Sequence, residues 1–256
     1  MKLSVVIPAR NEVHSVAETL RGVVEELRAA GIASEVLVVD DGSTDGTAAR
    51  VNELAATYAE VRSVVNDCRH GFGLAVRSGL AQAAGDAVAV MMADGSDDPR
   101  DLVAYYRKLT EGYDCVFGSR FIRGSQLVDY PHHKLVLNRL ANWFIAALFG
   151  FRYNDTTNAF KCYRRTVIDG MQPLISPHFN LTVEMPLKAI VRGYSYAVVP
   201  IRWLNRKEGI SKLKIREMGS RYLFIILYLW LEKLLARGDY HRQTAAPADK
   251  VTTLHV

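Results

Sequence analysis

The stretch Glu35-Val-Leu-Val-Val-Asp-Asp-Gly-Ser-Thr-Asp-Gly-Thr47 decides how this chain folds. Residues 35–39, rich in branched apolar side chains, read as a buried strand, and the acidic, glycine-containing run behind them reads as the loop that ends it. Upstream, Leu3-Ser-Val-Val-Ile7 is a second such strand, stopped by Pro8. Between the two, apolar residues at Val16, Leu20, Val23, Val24 and Leu27 repeat with the 3.6-residue period of an amphipathic helix that ends near Gly31. Downstream the unit recurs, with helices predicted over 46–58 and 72–84 and strands over 61–65 and 87–91. Strands alternating with helices predict an α/β chain whose mostly parallel sheet is flanked by helices.

In an open parallel sheet, ligands collect beyond the carboxyl ends of the strands. Two acidic loops fall there: Asp40-Asp-Gly-Ser-Thr-Asp45 after the second strand, and Ala93-Asp-Gly-Ser-Asp-Asp-Pro99 after the fourth. Taken singly, Asp40, Asp45 and Asp97 are also good turn and N-cap residues. Two such loops on one edge favour a ligand site, because carboxylates at a strand end suit a divalent cation that neutralises a departing diphosphate. A further strand over 113–117 runs into Gly118-Ser-Arg120 and brings a cation to the same edge.

Beyond that point helices are expected over 134–150, 179–192 and 216–237, with a polar loop over 154–163 leading into a strand and a late strand over 194–199. Glu184 either faces an acceptor channel or is solvated, the solvated reading being preferred, and His132-His133 reads as a surface pair rather than a metal site. The Gly71-Phe-Gly73 stretch lacks the dinucleotide fingerprint, although a helix starting there could meet a donor phosphate.

Length and composition limit the alternatives. With 256 residues, 49% of them apolar, the chain can bury one substantial core. We expect one domain over 1–242, a nucleotide-binding half at 1–118 and an acceptor half at 119–242, followed by a disordered tail at 243–256. Cys68, Cys115 and Cys162 are an odd number without metal-ligand spacing, so a reducing, cytoplasmic setting is expected. No targeting segment is read at Met1, where the apolar run is short. The net charge is +5, and residues 200–242 hold ten Lys and Arg against four acids, which suits either a solvated face or an anionic partner. No nucleic-acid partner is implied.

The motifs Val5-Val-Ile-Pro-Ala-Arg-Asn-Glu12, Val39 to Thr47 and Met91 to Pro99 resemble those of family 2 inverting glycosyltransferases with a GT-A (Rossmann-like) fold. Gly118-Ser-Arg-Phe121, Asn138-Arg139, Asp155-Thr-Thr-Asn-Ala-Phe-Lys161 and Asn205-Arg-Lys-Glu-Gly-Ile-Ser-Lys-Leu213 resemble the polyprenyl-phosphate (dolichol-phosphate mannosyltransferase) branch. The resemblance implies a hexose donor such as GDP-mannose or a UDP-hexose, a polyprenyl phosphate acceptor, and Mg²⁺ or Mn²⁺. Pro8, Arg10, Glu12, Val39, Asp40 and the backbone near Asp41 would line the nucleoside pocket. Asp94 would serve catalysis through the metal, and Arg120, Arg139 and Arg206, with Lys212, would clamp the acceptor phosphate. Such an acceptor is already an anionic nucleophile and needs orientation by cations; the alternative is a sugar-hydroxyl acceptor in glycan or polysaccharide assembly, which would need a carboxylate base.

One departure stands out. The family's Asp-X-Asp appears here as Met92-Ala93-Asp94, so the first carboxylate is missing; either Asp97 or Asp98 replaces it, or the cation is held by Asp94, the diphosphate and water alone. A chain that binds the nucleotide sugar without turning it over is the alternative of another class. The segments at 134–150 and 216–237 join apolar runs to aromatic and basic flanks and are expected to lie as amphipathic helices on the cytoplasmic membrane face, the latter as a C-terminal interfacial helix. The alternative is that they are buried in the core or in a contact with a second copy or a membrane-protein partner. Neither is long enough to span a bilayer.

Overall fold

A computed structural model describes residues 1–66, 69–205 and 215–242. In chain order the first half runs β1 (Leu3–Ala9), α1 (Val16–Ala29), β2 (Ser34–Asp40), α2 (Thr47–Thr57), β3 (Val61–Val65), α3 (Phe72–Gln82), β4 (Ala87–Val90) and α4 (Arg100–Thr110). The second half runs β5 (Cys115–Ser119), β6 (Gln126–Val128), α5 (His132–Phe149), β7 (Lys161–Arg164), α6 (Arg165–Gly170), α7 (Leu181–Val191), β8 (Tyr196–Pro200), β9 (Arg202–Leu204) and α8 (Ile215–Leu235). Seven strands form one sheet in the order β3-β2-β1-β4-β7-β5-β8, and β6 pairs with β9 in a small separate ribbon.

Every residue of β1 is buried, as expected of a central strand covered on both faces. Alternation then sends Val5 and Ile7 toward α1 and α4, and Val6 toward α3. Helix α3 packs so closely on this face that a Cβ at Gly79 would collide with Val6 and Val39. A third apolar cluster joins α5, α7 and α8 through Ile145, Phe149, Val183, Leu187, Ile225 and Leu229.

The sheet is parallel except at β7, which runs antiparallel between β4 and β5 and sets Lys161 opposite Val90 on one side and Phe117 on the other. Because Lys161 begins β7 and meets the carboxyl ends of both neighbours, the loop before it lies across the ligand edge. The observed β5 and β8 each start two residues later than the sequence suggested. Helix α4 was not read from the sequence. Its signal was present, with Leu102, Tyr105 and Leu109 buried at helical spacing, Pro99 at the N-cap, Asp101 in the first turn and Arg107 and Lys108 in the last.

Helix α8 is apolar on more than one face. Ile225, Ile226 and Leu229 are buried, while Leu223, Phe224, Leu227, Leu231 and Leu235 are exposed; α5 likewise leaves Val136, Leu137, Leu140 and Trp143 in the open, Trp143 at 72%. Among the described residues no helix is long and apolar enough to cross a membrane. Cys115 and Cys162 are buried and free. The tail at 243–256 lies outside the described residues.

Candidate active site

The carboxyl ends of β1 and β2 lie side by side, with Pro8 opposite Val39 and Ala9 opposite Asp40. Pro8 and Val39 are buried within the strands, while Arg10 is exposed and Glu12 and Asp40 are half-buried. The two loops are tied together. Asn11 donates its N–H to Ser43 Oγ at 3.0 Å and its Oδ1 accepts the Thr44 N–H at 2.8 Å; Glu12 N–H donates to Thr47 Oγ1 at 2.9 Å. Asp45 fills the turn role: its carboxylate accepts the N–H groups of Thr47 and Val13 at 3.0 and 3.1 Å and the Thr47 hydroxyl at 2.5 Å. Burial pushes its pKa up, but those donors outweigh it and the net shift is downward.

Asp40 and Asp41 have different environments. Asp40 accepts only long bonds from Ser43 N–H, at 3.3 and 3.4 Å. Asp41 is buried and accepts Asn66 Nδ2 at 2.8 Å and Gly71 N–H at 3.0 Å, with His70 Nδ1 at 3.5 Å and Arg10 Nη1 at 3.9 Å. The first amide before α3, considered from the sequence as a phosphate donor, therefore serves the Asp41 carboxylate.

After β4, Asp94 is half-buried at the edge and accepts the Ser96 N–H at 3.1 Å and the Ser96 hydroxyl at 2.6 Å. Asp97, the candidate second metal ligand, is turned inward: it is buried and accepts the Met92 N–H at 3.0 Å. Burial raises its pKa to about 7, Asp94 adds to the rise, and the Met92 N–H and Arg120 oppose it. Asp98 is held by Arg100 at 2.5 Å, with Arg202 at 3.7 Å. Among the described residues no three His, Cys, Asp or Glu side chains converge as metal ligands. Asp94 would therefore hold a cation only together with a donor diphosphate and water, a mode magnesium accepts because it retains waters; the described residues do not suit a closed protein cage.

At the end of β5, the Arg120 side chain is largely shielded. Its Nε and main-chain N–H both donate to Asp155 Oδ2 at 2.9 Å and its Nη2 donates to Oδ1 at 2.7 Å. Three rings surround the guanidinium, with Phe121, Tyr130 and Trp203 centroids at 5.3, 5.6 and 5.9 Å. Arg139 of α5 is exposed and lies 4.9 Å from the Phe121 ring, so two cations meet one phenyl group. Arg206 and Lys212 lie outside the described residues. The cation expected on this edge at 120 is thus a paired and largely desolvated one, and its ring partners Tyr130 and Trp203 carried no signal in the sequence. Asp155 and Lys161 stood in a quoted motif but carried no assigned role.

The acidic loop and the strand leading toward residue 206 are stitched together. Asp97 and Trp203 form a β-bridge, Leu204 N–H donates to the Ser96 carbonyl at 2.9 Å, and Arg202 N–H donates to Asp101 at 3.0 Å. Glu184, read from the sequence as solvated, is fully buried. It accepts the Ile175 and Ser176 N–H groups at 2.8 and 2.7 Å and pairs with Lys188 at 2.8 Å, because α7 is packed on both sides by the sheet and by α8.

Two acidic loops beside two Arg side chains on one sheet edge match the sequence motifs in space, and residues 4–170 match the family described as glycosyl transferase family 2. The chain belongs to that family. Curated relatives include a polyprenol monophosphomannose synthase of Mycolicibacterium smegmatis, 33% identical over 233 residues that cover 85% of this chain and 86% of that protein. A dolichol-phosphate mannosyltransferase of Pyrococcus furiosus is 30% identical over 218 residues, 84% of this chain and 60% of that longer protein. Among solved structures, glucosyl-3-phosphoglycerate synthase from Mycobacterium tuberculosis, crystallised with Mn²⁺ and UDP-glucose, superposes with a TM-score of 0.68 at 19% identity, covering 91% of this chain and 78% of that one. That likeness shows the GT-A fold. Membership in the family makes this chain a glycosyltransferase.

Proposed function

We propose that this glycosyltransferase moves a hexose from a nucleoside diphosphate to a polyprenyl phosphate, with inversion at the anomeric carbon. The observation that carries the reading is the Arg120 and Arg139 pair about Phe121, one guanidinium shielded and one exposed, on the same sheet edge as Asp94. The names of the two curated relatives support it.

In this reading Arg10, Glu12 and Asp40, above Pro8 and Val39, take the nucleoside, while Asp41 holds the loop that frames it. An acceptor phosphate oxygen attacks the anomeric carbon as the bond to the diphosphate oxygen breaks, and the nucleoside diphosphate leaves. Because the nucleophile is already anionic, Arg120 and Arg139, with Arg206 and Lys212, have only to orient it and offset its charge. Asp94 is the residue that would hold Mg²⁺ or Mn²⁺ against the donor diphosphate, where such a cation neutralises the charge of the leaving group. The exposed apolar faces of α5 and α8 would rest on the membrane surface that carries the lipid acceptor, the cytoplasmic one in this reading.

The test is a panel of radiolabelled GDP- and UDP-hexoses incubated with the protein, a short polyprenyl phosphate and Mg²⁺ or Mn²⁺. Label from one donor is expected in the organic-extractable phase. Label that enters only a water-soluble glycan would overturn the acceptor assignment.

A further inference from the structure

We propose that Asp155 is a positioning residue for the acceptor phosphate: it fixes the plane of the Arg120 guanidinium through a frame closed by Tyr153, Asn158 and Lys161. This rests on the reading that Arg120 meets the acceptor phosphate.

A free arginine side chain samples many rotamers, and each one frozen on binding costs affinity. Arg120 is already frozen. Asp155 Oδ2 binds both its main-chain N–H and its Nε, so one oxygen ties the guanidinium to its own backbone, while Oδ1 binds Nη2 and sets the plane. The Arg120 side chain is 8% exposed and Asp155 is fully buried. Among the described residues no hydrogen-bond acceptor takes Nη1, so the edge of the fork away from Asp155 is the one left for a phosphate oxygen.

Asp155 is held as tightly as the group it holds. The Tyr153 hydroxyl lies 2.6 Å from the Asp155 carbonyl and 3.0 Å from the Gly118 carbonyl, shared between them as donor. Asn158 donates its N–H to the Asp155 carbonyl at 3.1 Å and its Nδ2 to the Gly118 carbonyl at 3.3 Å. Lys161 spends its ammonium on three carbonyls, those of Thr156 at 3.1 Å, Thr182 at 3.2 Å and Asn158. The loop at 153–158 is thereby fastened to Gly118, two residues before Arg120 on the same strand end. A buried ion pair seldom adds net stability over an apolar replacement, so stability alone is a weak account of one placed at the ligand edge. Orientation is the stronger account, because a cation misplaced by about 1 Å can lose about a hundredfold in rate.

The experiment compares the full-length protein with Asp155→Asn, Asp155→Glu and Arg120→Lys, measuring acceptor KM, kcat, donor affinity by calorimetry and the unfolding midpoint. Asp155→Asn keeps the volume and loses the charge and the two-point contact. Asp155→Glu keeps the charge and moves it by one methylene. Both are expected to raise acceptor KM about tenfold or more, with donor affinity within about twofold of the parent. Arg120→Lys, which cannot make the fork, is expected to raise acceptor KM, and adding Asp155→Asn to it should cost little more. Acceptor KM unchanged in both folded Asp155 variants, or donor affinity lost in equal measure, overturns the proposal. Should Asp155→Asn fail to fold, Asp155→Glu decides alone by the same two criteria. If Arg120→Lys leaves acceptor KM unchanged, it is the acceptor role of Arg120 that falls; if it raises KM and the Asp155 variants do not, only the positioning role falls.

Discussion

Asp97 Oδ2 accepts the main-chain N–H of Met92 at 3.0 Å, so the acidic loop after β4 closes on its own root and turns one carboxylate away from the ligand edge. Burial lifts the pKa of that carboxyl to about 7 from an ordinary value of 3.8. The folded state therefore keeps a proton that the unfolded chain releases. Stability contributed by the protonated form is present below about pH 4 and is lost as the pH rises through about 7. Asp97→Asn mimics the protonated form without titrating. Its unfolding midpoint, measured against pH, should gain on that of the parent by several degrees across about pH 4 to 7. Parallel curves in that window would contradict the buried, raised carboxyl.

Asp94 is the carboxylate the loop presents outward, with Met92 where the family places another. Asp94→Ala should reduce transfer by about a hundredfold or more. Met92→Asp adds the missing carboxylate and should lower the Mn²⁺ concentration for half-maximal turnover by roughly tenfold, while enlarging the upward shift of the unfolding midpoint that Mn²⁺ produces. Near-normal turnover of Asp94→Ala would refute the metal assignment.

Glu184 and Lys188 are both fully buried, one helical turn apart. Glu184→Ala leaves the Lys188 ammonium unpaired and strips the Ile175 and Ser176 N–H groups of their acceptor. A loss of about 3 to 5 kcal/mol in denaturant-derived stability is expected. Adding Lys188→Met should recover part of it, and a double variant no better than the single one would argue against the ion pair as the cause.

The outward faces of α5 and α8 carry Trp143 and Leu231. Replacing either by Glu should weaken co-flotation with anionic lipid vesicles by roughly tenfold, since each removes buried apolar area and adds a charge at the interface. Unfolding midpoints should stay within about 2 °C, as surface substitutions seldom matter more. Flotation unchanged in both variants would exclude these faces as the membrane contact.

The sequence by itself determined the architecture of the first half of this protein. Strands β1, β2 and β4 are short apolar runs with turn residues behind them, and helix α1 announces itself by spacing; these signals are local, so the carboxyl ends that carry Asp40, Asp41 and Asp94 could be located without coordinates. Tertiary structure alone decided what surrounds several of the charged residues. The four-residue β7 enters antiparallel between β4 and β5, which lays the loop before it on the ligand edge, a long-range fact with no local signature. That insertion sets Asp155 beside Arg120 and pairs the edge cation with a buried carboxylate. It was the same with Glu184, which packing from two sides removed from water, and with Asp97, which a five-residue loop closure turned inward. Periodicity reports which face of an element is apolar, but the environment of a charge depends on which distant segments close over it.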